Sequence, residues 1–308
     1  LVLIKKILVL GGSGFLGSAA ANGFAKELHE VKIFSPSAEK INFKNNIEGV
    51  AGSIADFKKM KPHLLWADEI YHFVSTTNPK SSFGDPAYDI TSNLLPLLPI
   101  LDFLKDHKEK YLIFCSSGGA VYGNLGNDLI DESHPKNPQS SYGIVKSMME
   151  EYILYYQRLF GIKALILRPS NIYGLKMYDI GKQGLISTLI QNALEGASTQ
   201  IWVPVDTSKD YLFIDDFIEA LIGLEKKEVF GIFNIAAERN YSIQEIITSI
   251  EEITGRKIEI KLHISTLAKI DVPVRLSSQK LKAEFGWEPK IDLKRGIENI
   301  YKRLLSKH

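Results

Sequence analysis

Short apolar runs alternate with longer amphipathic stretches through the first half of the chain. Ile7–Leu10, Val31–Phe34, Ile70–Val74, Tyr111–Cys115 and Lys163–Leu167 are brief and carry few polar positions, as strands covered on both faces should. Between them, Gly17–Leu28, Asn93–Lys105 and Ser141–Phe160 have helical length and periodicity. Pro96 and Pro99 must delay or kink the second of these, because proline offers no N–H to the helix ladder. The alternation predicts βαβ units and a parallel sheet, with Ile232–Ile235 as a candidate sixth strand.

Beyond Gly174 the alternation is lost, and from Met177 to Lys209 one helix, Leu185–Leu194, is set among loops. Ser242–Thr254 reads as a helix with Ser242 at its cap, Glu245 at the capping-box position and Gly255 just past its end. A final helix spans Leu293–Leu305. The expected division is a first unit over residues 1–173, to which 210–237 return, and a smaller second unit from 174–209 and 238–308.

Of 308 residues, 45% are apolar and 24% charged, which excludes a disordered or low-complexity chain. Lysine and arginine number 37 against 36 acids, so a net charge of +1 gives no general field for nucleic acid or an acidic membrane. No apolar run approaches the roughly 18 residues of a membrane span. Leu1–Leu10, broken by Lys5 and Lys6 and running into Gly11 and Gly12, reads as a buried strand rather than a signal peptide. Cys115 is the only cysteine, so an internal disulfide is impossible and a reducing cytoplasm suits the chain. It ends an apolar run and is expected to be inert core. His29, His63, His72, His107, His134, His263 and His308 show no metal-ligand spacing.

Four motifs offer chemistry. The first strand runs into Gly11-Gly12-Ser13-Gly14-Phe15-Leu16-Gly17 and then a helix, where missing β-carbons let backbone approach a pyrophosphate at the helix N-terminus. Gly12, Gly14 and Gly17 fit one dinucleotide spacing, while Gly11, Gly14 and Gly17 fit another. Tyr142 and Lys146 are one helical turn apart, so the ammonium can sit beside the phenol and favour its ionised form, making a general base. Tyr178 and Lys182 repeat the spacing, but Gly181 between them argues against a helix. Ser116-Ser117-Gly118-Gly119-Ala120-Val121-Tyr122-Gly123 and Arg168-Pro169-Ser170-Asn171-Ile172-Tyr173-Gly174 each follow a strand, at the sheet end where open α/β folds bind ligands.

Taken in order with Asp215-Asp216 and Gly286-Trp287-Glu288-Pro289, these segments resemble the extended short-chain dehydrogenase/reductases of the nucleotide-sugar epimerase/dehydratase family, nearest the UDP-glucose 4-epimerase branch. The resemblance spans nearly the whole chain. It implies a Rossmann-type doubly wound parallel sheet with a smaller C-terminal α/β substrate-binding domain, and a homodimer paired through the helices starting near Asn93 and Ser141. On the second of these helices lie Tyr152, Tyr155 and Tyr156. It further implies a nicotinamide cofactor, NAD with NADP possible, and a nucleotide-sugar substrate, UDP-linked. Tyr142 is then the base that removes a sugar proton, Lys146 holds the nicotinamide ribose, and Ser117 assists. Gly11, Gly14, Phe15, Leu16, Gly17, Ser35, Ser53, Ile54, Val74, Pro169 and Ser170 join them around the cofactor. Ser117, Gly118, Asn171, Gln183 and Lys209 face the substrate.

Several positions depart from the family. Ser35 stands where an acid holds the adenosine ribose, which admits NADP, with Lys40 as a phosphate partner; Ser53 replaces an aspartate that reads adenine. Lys209 replaces an arginine and cannot grip a phosphate bidentately. The usual catalytic hydroxyl position is Gly118, and Ser117, beside the flexible pair Gly118-Gly119, is the expected substitute. Gly119 and Ala120 lack the acid pair of the 4,6-dehydratases. A 4-epimerase is therefore the first expectation, an NADPH-dependent keto-sugar reductase the second, and a nonenzymatic dinucleotide-binding or redox-sensing protein the third.

Overall fold

The computed structural model describes residues 4–41, 46–123, 126, 129–175, 184–227, 229–263 and 273–306. Seven strands, β1 (Lys6–Leu10), β2 (Glu30–Ser35), β3 (Ile47–Ala51), β4 (Glu69–His72), β5 (Tyr111–Cys115), β6 (Lys163–Pro169) and β7 (Gly231–Ile235), form one sheet in the order β7-β6-β5-β4-β1-β2-β3. Every neighbouring pair is parallel. Alternate side chains enter opposite cores: Ile7 and Val9 face one, Leu8 and Leu10 the other. Helices α1 (Phe15–Lys26) and α6 (Ile214–Glu225) cover the first face, and α2 (Phe57–Trp66), α3 (Leu95–Lys105) and α4 (Ser141–Phe160) the second. The chain is thus doubly wound in the Rossmann manner, with its order reversing between β1 and β4.

Each expected strand and helix in this part is present, and β3, α2 and α6 are additions that the sequence pattern did not single out. β3 reads Ile-Glu-Gly-Val-Ala at the sheet edge, where Glu48 and Gly49 break the apolar run. α2 carries Pro62 inside it and buries only Met60 and Leu64, so its pattern is weak; Asp56 caps it by accepting from the Lys59 N–H. The helical turns of the Asn93 segment start earlier than expected: a short helix, Pro86–Asp89, runs through a π turn, Ile90–Leu94, into α3, with Pro96 in its first turn and Pro99 inside it. β4 ends at His72, so Phe73 and Val74 leave the sheet sooner than expected.

The smaller region carries α5 (Leu185–Glu195), α7 (Ile243–Thr254) and α8 (Leu293–Leu305) around short ladders. Ser208–Phe213 pairs in parallel with Asn171–Tyr173 and antiparallel with Asn240–Ser242. The capping box of α7 is complete: Glu245 N–H donates to Ser242 Oγ, and Ser242 N–H to Glu245 Oε2. Among the described residues no helix is long and apolar enough to cross a membrane.

Candidate active site

The glycine loop leaves β1 through Gly11, whose φ of +80° favours glycine. A β-carbon on Gly17 would come to 2.5 Å from Gly11 O, so loop and helix touch there through backbone alone. Gly12 packs against Ile33 on β2, where a β-carbon would overlap that side chain. Gly14 caps α1 without a side-chain hydrogen bond, so the N–H groups of Phe15, Leu16 and Gly17 point at a site that can take a diphosphate. Val74 packs against Gly11. Ser35, at the end of β2, is buried, and its hydroxyl has no partner among the described residues. Nearby Ser37 Oγ donates to Ser13 Oγ at 2.8 Å. Ser53 is exposed and accepts from the Ala55 N–H, while Ile54 is core.

The second centre lies where β5 and β6 end. Ser140 caps α4 by accepting from the Gly143 N–H, placing Tyr142 in its first turn and Lys146 one turn on. Lys146 is buried; its Nζ donates to Cys115 O at 2.9 Å and stands 5.9 Å from the Tyr142 ring centre. Burial lowers the Lys146 ammonium, against upward pulls from Cys115, Glu150 and Asp89. The expectation of an acidified phenol is corrected here. Burial pushes Tyr142 well above its ordinary value, with Cys115 and Asp89 adding to the rise, while the hydroxyls of Ser117 and Ser75 pull it down. Ser117 and Ser75 are therefore the groups that favour the phenolate.

Ser117 begins the short helix Gly118–Tyr122 and makes no side-chain capping bond, leaving its hydroxyl to Tyr142. A β-carbon on Gly118 would overlap Leu276 Cδ1 and lie 3.2 Å from Arg168 O. A side chain there would require the Leu276 tip to shift. Gly118 is buried, with the space of its missing β-carbon taken by Leu276. Behind the centre, Arg168 donates twice to Glu150, at 3.0 and 2.6 Å, and Ser116 Oγ donates to the same carboxylate at 2.5 Å.

Between the two regions lies a cavity of about 570 Å³. Ser117, Tyr142, Asn171 and Lys209 line it, as do Lys80 and Trp202, which the sequence did not single out. Lys80 Nζ stands 4.3 Å over the Trp202 ring, and His263 stacks on that ring. Asn171 Nδ2 donates to Asp210 O at 3.0 Å. Burial raises the Asp210 carboxyl to about 7, against the Ala237 N–H and the Ser170 hydroxyl. Pro169 closes β6, and Ser170 N–H donates to Ile235 O. Gln183 and the pair Tyr178 and Lys182 lie outside the described residues. Burial raises the Cys115 thiol to about 11, consistent with an inert residue. Among the described residues no three His, Cys, Asp or Glu are grouped to hold a metal.

An anion cradle at the start of a doubly wound sheet, with tyrosine and lysine one turn apart beyond a neighbouring strand, defines a dinucleotide-dependent enzyme of the short-chain dehydrogenase/reductase type. The chain belongs to the NAD dependent epimerase/dehydratase family, whose sequence model matches residues 7–236. A Methanocaldococcus jannaschii protein provisionally named UDP-glucose 4-epimerase is 33% identical over 303 residues, 96% of each chain. The UDP-glucose 4-epimerase of Mycolicibacterium smegmatis is 26% identical over 95% of this chain and 96% of its own. Among solved structures, Thermotoga maritima UDP-glucose 4-epimerase with UDP-glucose matches with a TM-score of 0.87 at 26% identity, over 98% of this chain and 99% of that one.

Proposed function

We infer that the protein is a nucleotide-sugar 4-epimerase that uses NAD and acts on a UDP-linked sugar. The observation that carries this reading is the meeting of Tyr142 and Ser117, with buried Lys146 one helical turn on, at the wall of the cavity that also holds Asn171, Lys209 and Trp202. The uncapped start of α1 fits a dinucleotide diphosphate. Bound NAD supplies a reversible hydride store for the sugar C4. Tyr142 takes and returns the 4-hydroxyl proton, Ser117 relays it, and Lys146 holds the nicotinamide ribose through its ammonium. Asn171 and Lys209 meet the substrate diphosphate, and Trp202, flanked by Lys80 and His263, lines the same cavity. Residues 1–173 with 210–237 serve the dinucleotide, while 174–209 and 238–308 serve the sugar nucleotide.

The test is incubation with UDP-glucose and, separately, UDP-galactose in the presence of NAD. Each should convert to the other without build-up of reduced nicotinamide. Turnover only with added NADPH and a keto-sugar would favour the reductase reading, which the unpartnered Ser35 hydroxyl supports, since an acid there would repel a 2′-phosphate. Two further assignments follow from the surface and composition. Ile144, Met148, Tyr152, Tyr155 and Leu159 form an exposed apolar stripe on α4, beside exposed Leu95 on α3, and this face pairs two copies into a homodimer. A single buried cysteine suits the cytoplasm. Sedimentation at micromolar concentration should show the dimer, and a monomer would contradict the pairing.

A further inference from the structure

One buried acid beside the catalytic helix has only neutral partners. Asp89 closes the short helix Pro86–Asp89, and the π turn Ile90–Leu94 follows at once. Its side chain is wholly enclosed. It accepts from Thr77 Oγ1 at 2.6 Å, Asn93 Nδ2 at 3.0 Å and Ser141 Oγ at 2.9 Å. Among the described residues no cation lies within ion-pair distance of it. A buried carboxylate satisfied only by neutral donors is costly to keep, and π turns of this kind cluster at functional sites.

The three donors come from three segments. Thr77 lies in the loop after β4, Asn93 in the π turn, and Ser141 is the first residue of α4. That loop also carries Ser75, which faces the Tyr142 phenol and whose Oγ donates to Thr77 O at 2.8 Å. Farther along, Ser82 Oγ accepts from the Tyr142 N–H at 3.0 Å. A shift of the loop or of the helix start therefore moves the phenol against its hydroxyl partners.

We propose that Asp89 is the positioning residue of the catalytic tyrosine, clamping the start of α4 through Ser141 to the loop after β4 through Thr77. The inference rests on the reading of Tyr142 as the base. Beyond the burial that dominates both groups, the Asp89 charge pushes the Tyr142 phenol and the Lys146 ammonium toward their protonated forms. The other ionisable groups facing the pair are Cys115 on β5, His72 on β4 and Glu150 on α4. Burial keeps the first two neutral, and Arg168 pairs the third.

The test compares wild type with Asp89→Asn, which keeps the size and removes the charge, across a pH series with UDP-glucose. Loss of the clamp should lower kcat by about 10-fold to 100-fold with KM and NAD affinity unchanged. Removing a nearby negative charge eases phenolate formation, so the limb of kcat that rises with pH should move to lower pH. An unmoved limb or an unchanged kcat overturns the proposal. If Asp89→Asn does not fold, Thr77→Val and Ser141→Ala each remove one bond, and Thr77→Ser should restore what Thr77→Val loses. Full kcat in both variants likewise overturns it. A wild type that turns over no sugar nucleotide refutes the epimerase reading instead. The clamp is then read from the phenolate absorbance that Tyr142→Phe removes, which should titrate at lower pH in Asp89→Asn; an unshifted titration overturns the clamp.

Discussion

Two buried polar clusters sit at opposite ends of the parallel sheet, and they treat charge differently. At the amino ends of the strands, Lys5 Nζ lies 2.7 Å from Glu69 and 2.6 Å from Glu225, and Tyr71 OH donates to Glu69. His29 Nδ1 accepts from the Lys5 N–H, and its Nε2 stands 3.7 Å from Glu225. That cluster joins β1, β4, the start of β2 and the end of α6 with opposite charges in contact. At the carboxyl ends Arg168 and Glu150 are also paired, but Lys146 donates to a carbonyl, Asp89 accepts only from neutral groups, and neither ring nitrogen of His72 has a partner among the described residues. Paired charges hold strands together but have little freedom to change protonation. Groups left without a counter-ion are expensive to bury, and the fold keeps them where protons must move.

The contrast breaks first at Tyr142. Tyr142→Phe should lower kcat by about 10³-fold or more while NAD binding and thermal stability persist. A variant that keeps most of its turnover would place the chemistry elsewhere. At the opposite end, Lys5→Met leaves Glu69 and Glu225 buried without their cation, which should cost about 3 kcal/mol in urea unfolding and leave kcat alone. Lost activity with unchanged stability would reverse the comparison.

Ser117→Ala should lower kcat by about 10²-fold with an unchanged melting temperature, because it removes one hydrogen-bond donor to a developing charge. An effect that is near zero at neutral pH concerns His72, which burial, reinforced by Lys146, holds down at about 3. Below its ordinary value the unfolded chain takes up a proton that the folded chain refuses. Stability should therefore fall as pH drops from about 6.5 toward 3, by at most about 1.4 kcal/mol per pH unit from this group. His29 and His63 are lowered in the same sense, so the difference between wild type and His72→Leu isolates the term. A variant whose acid limb is as steep as wild type would assign that loss to other groups.

The elements that the sequence made legible are those whose signal is local. Strongly apolar β1, β5 and β6 and the capping box of α7 announce themselves within a few residues. β3 did not, because Glu48 and Gly49 interrupt a five-residue edge strand, and α2 did not, because Pro62 and three lysines mask two buried positions. The same division holds at the site. Gly11, Gly14, Gly17, Tyr142 and Lys146 stand in short motifs. Ser75, Asp89, Lys80 and Trp202 come to the centre only through tertiary packing, and Leu276 reaches Gly118 from more than 150 residues away in the chain. The direction of the Tyr142 shift was not legible either, since helical spacing gives the neighbour but not the degree of burial.

The account stands or falls on a hydride leaving and returning at C4 while a proton leaves and returns at the hydroxyl that C4 bears. The direct measurement follows UDP-glucose carrying deuterium at C4 by NMR, with wild type and Tyr142→Phe side by side, each loaded with NAD. Wild type should yield the C4 epimer with deuterium retained at C4, and Tyr142→Phe should yield essentially none. Deuterium accumulating in free reduced nicotinamide beside an oxidised sugar, or epimer formed equally fast by Tyr142→Phe, would contradict it.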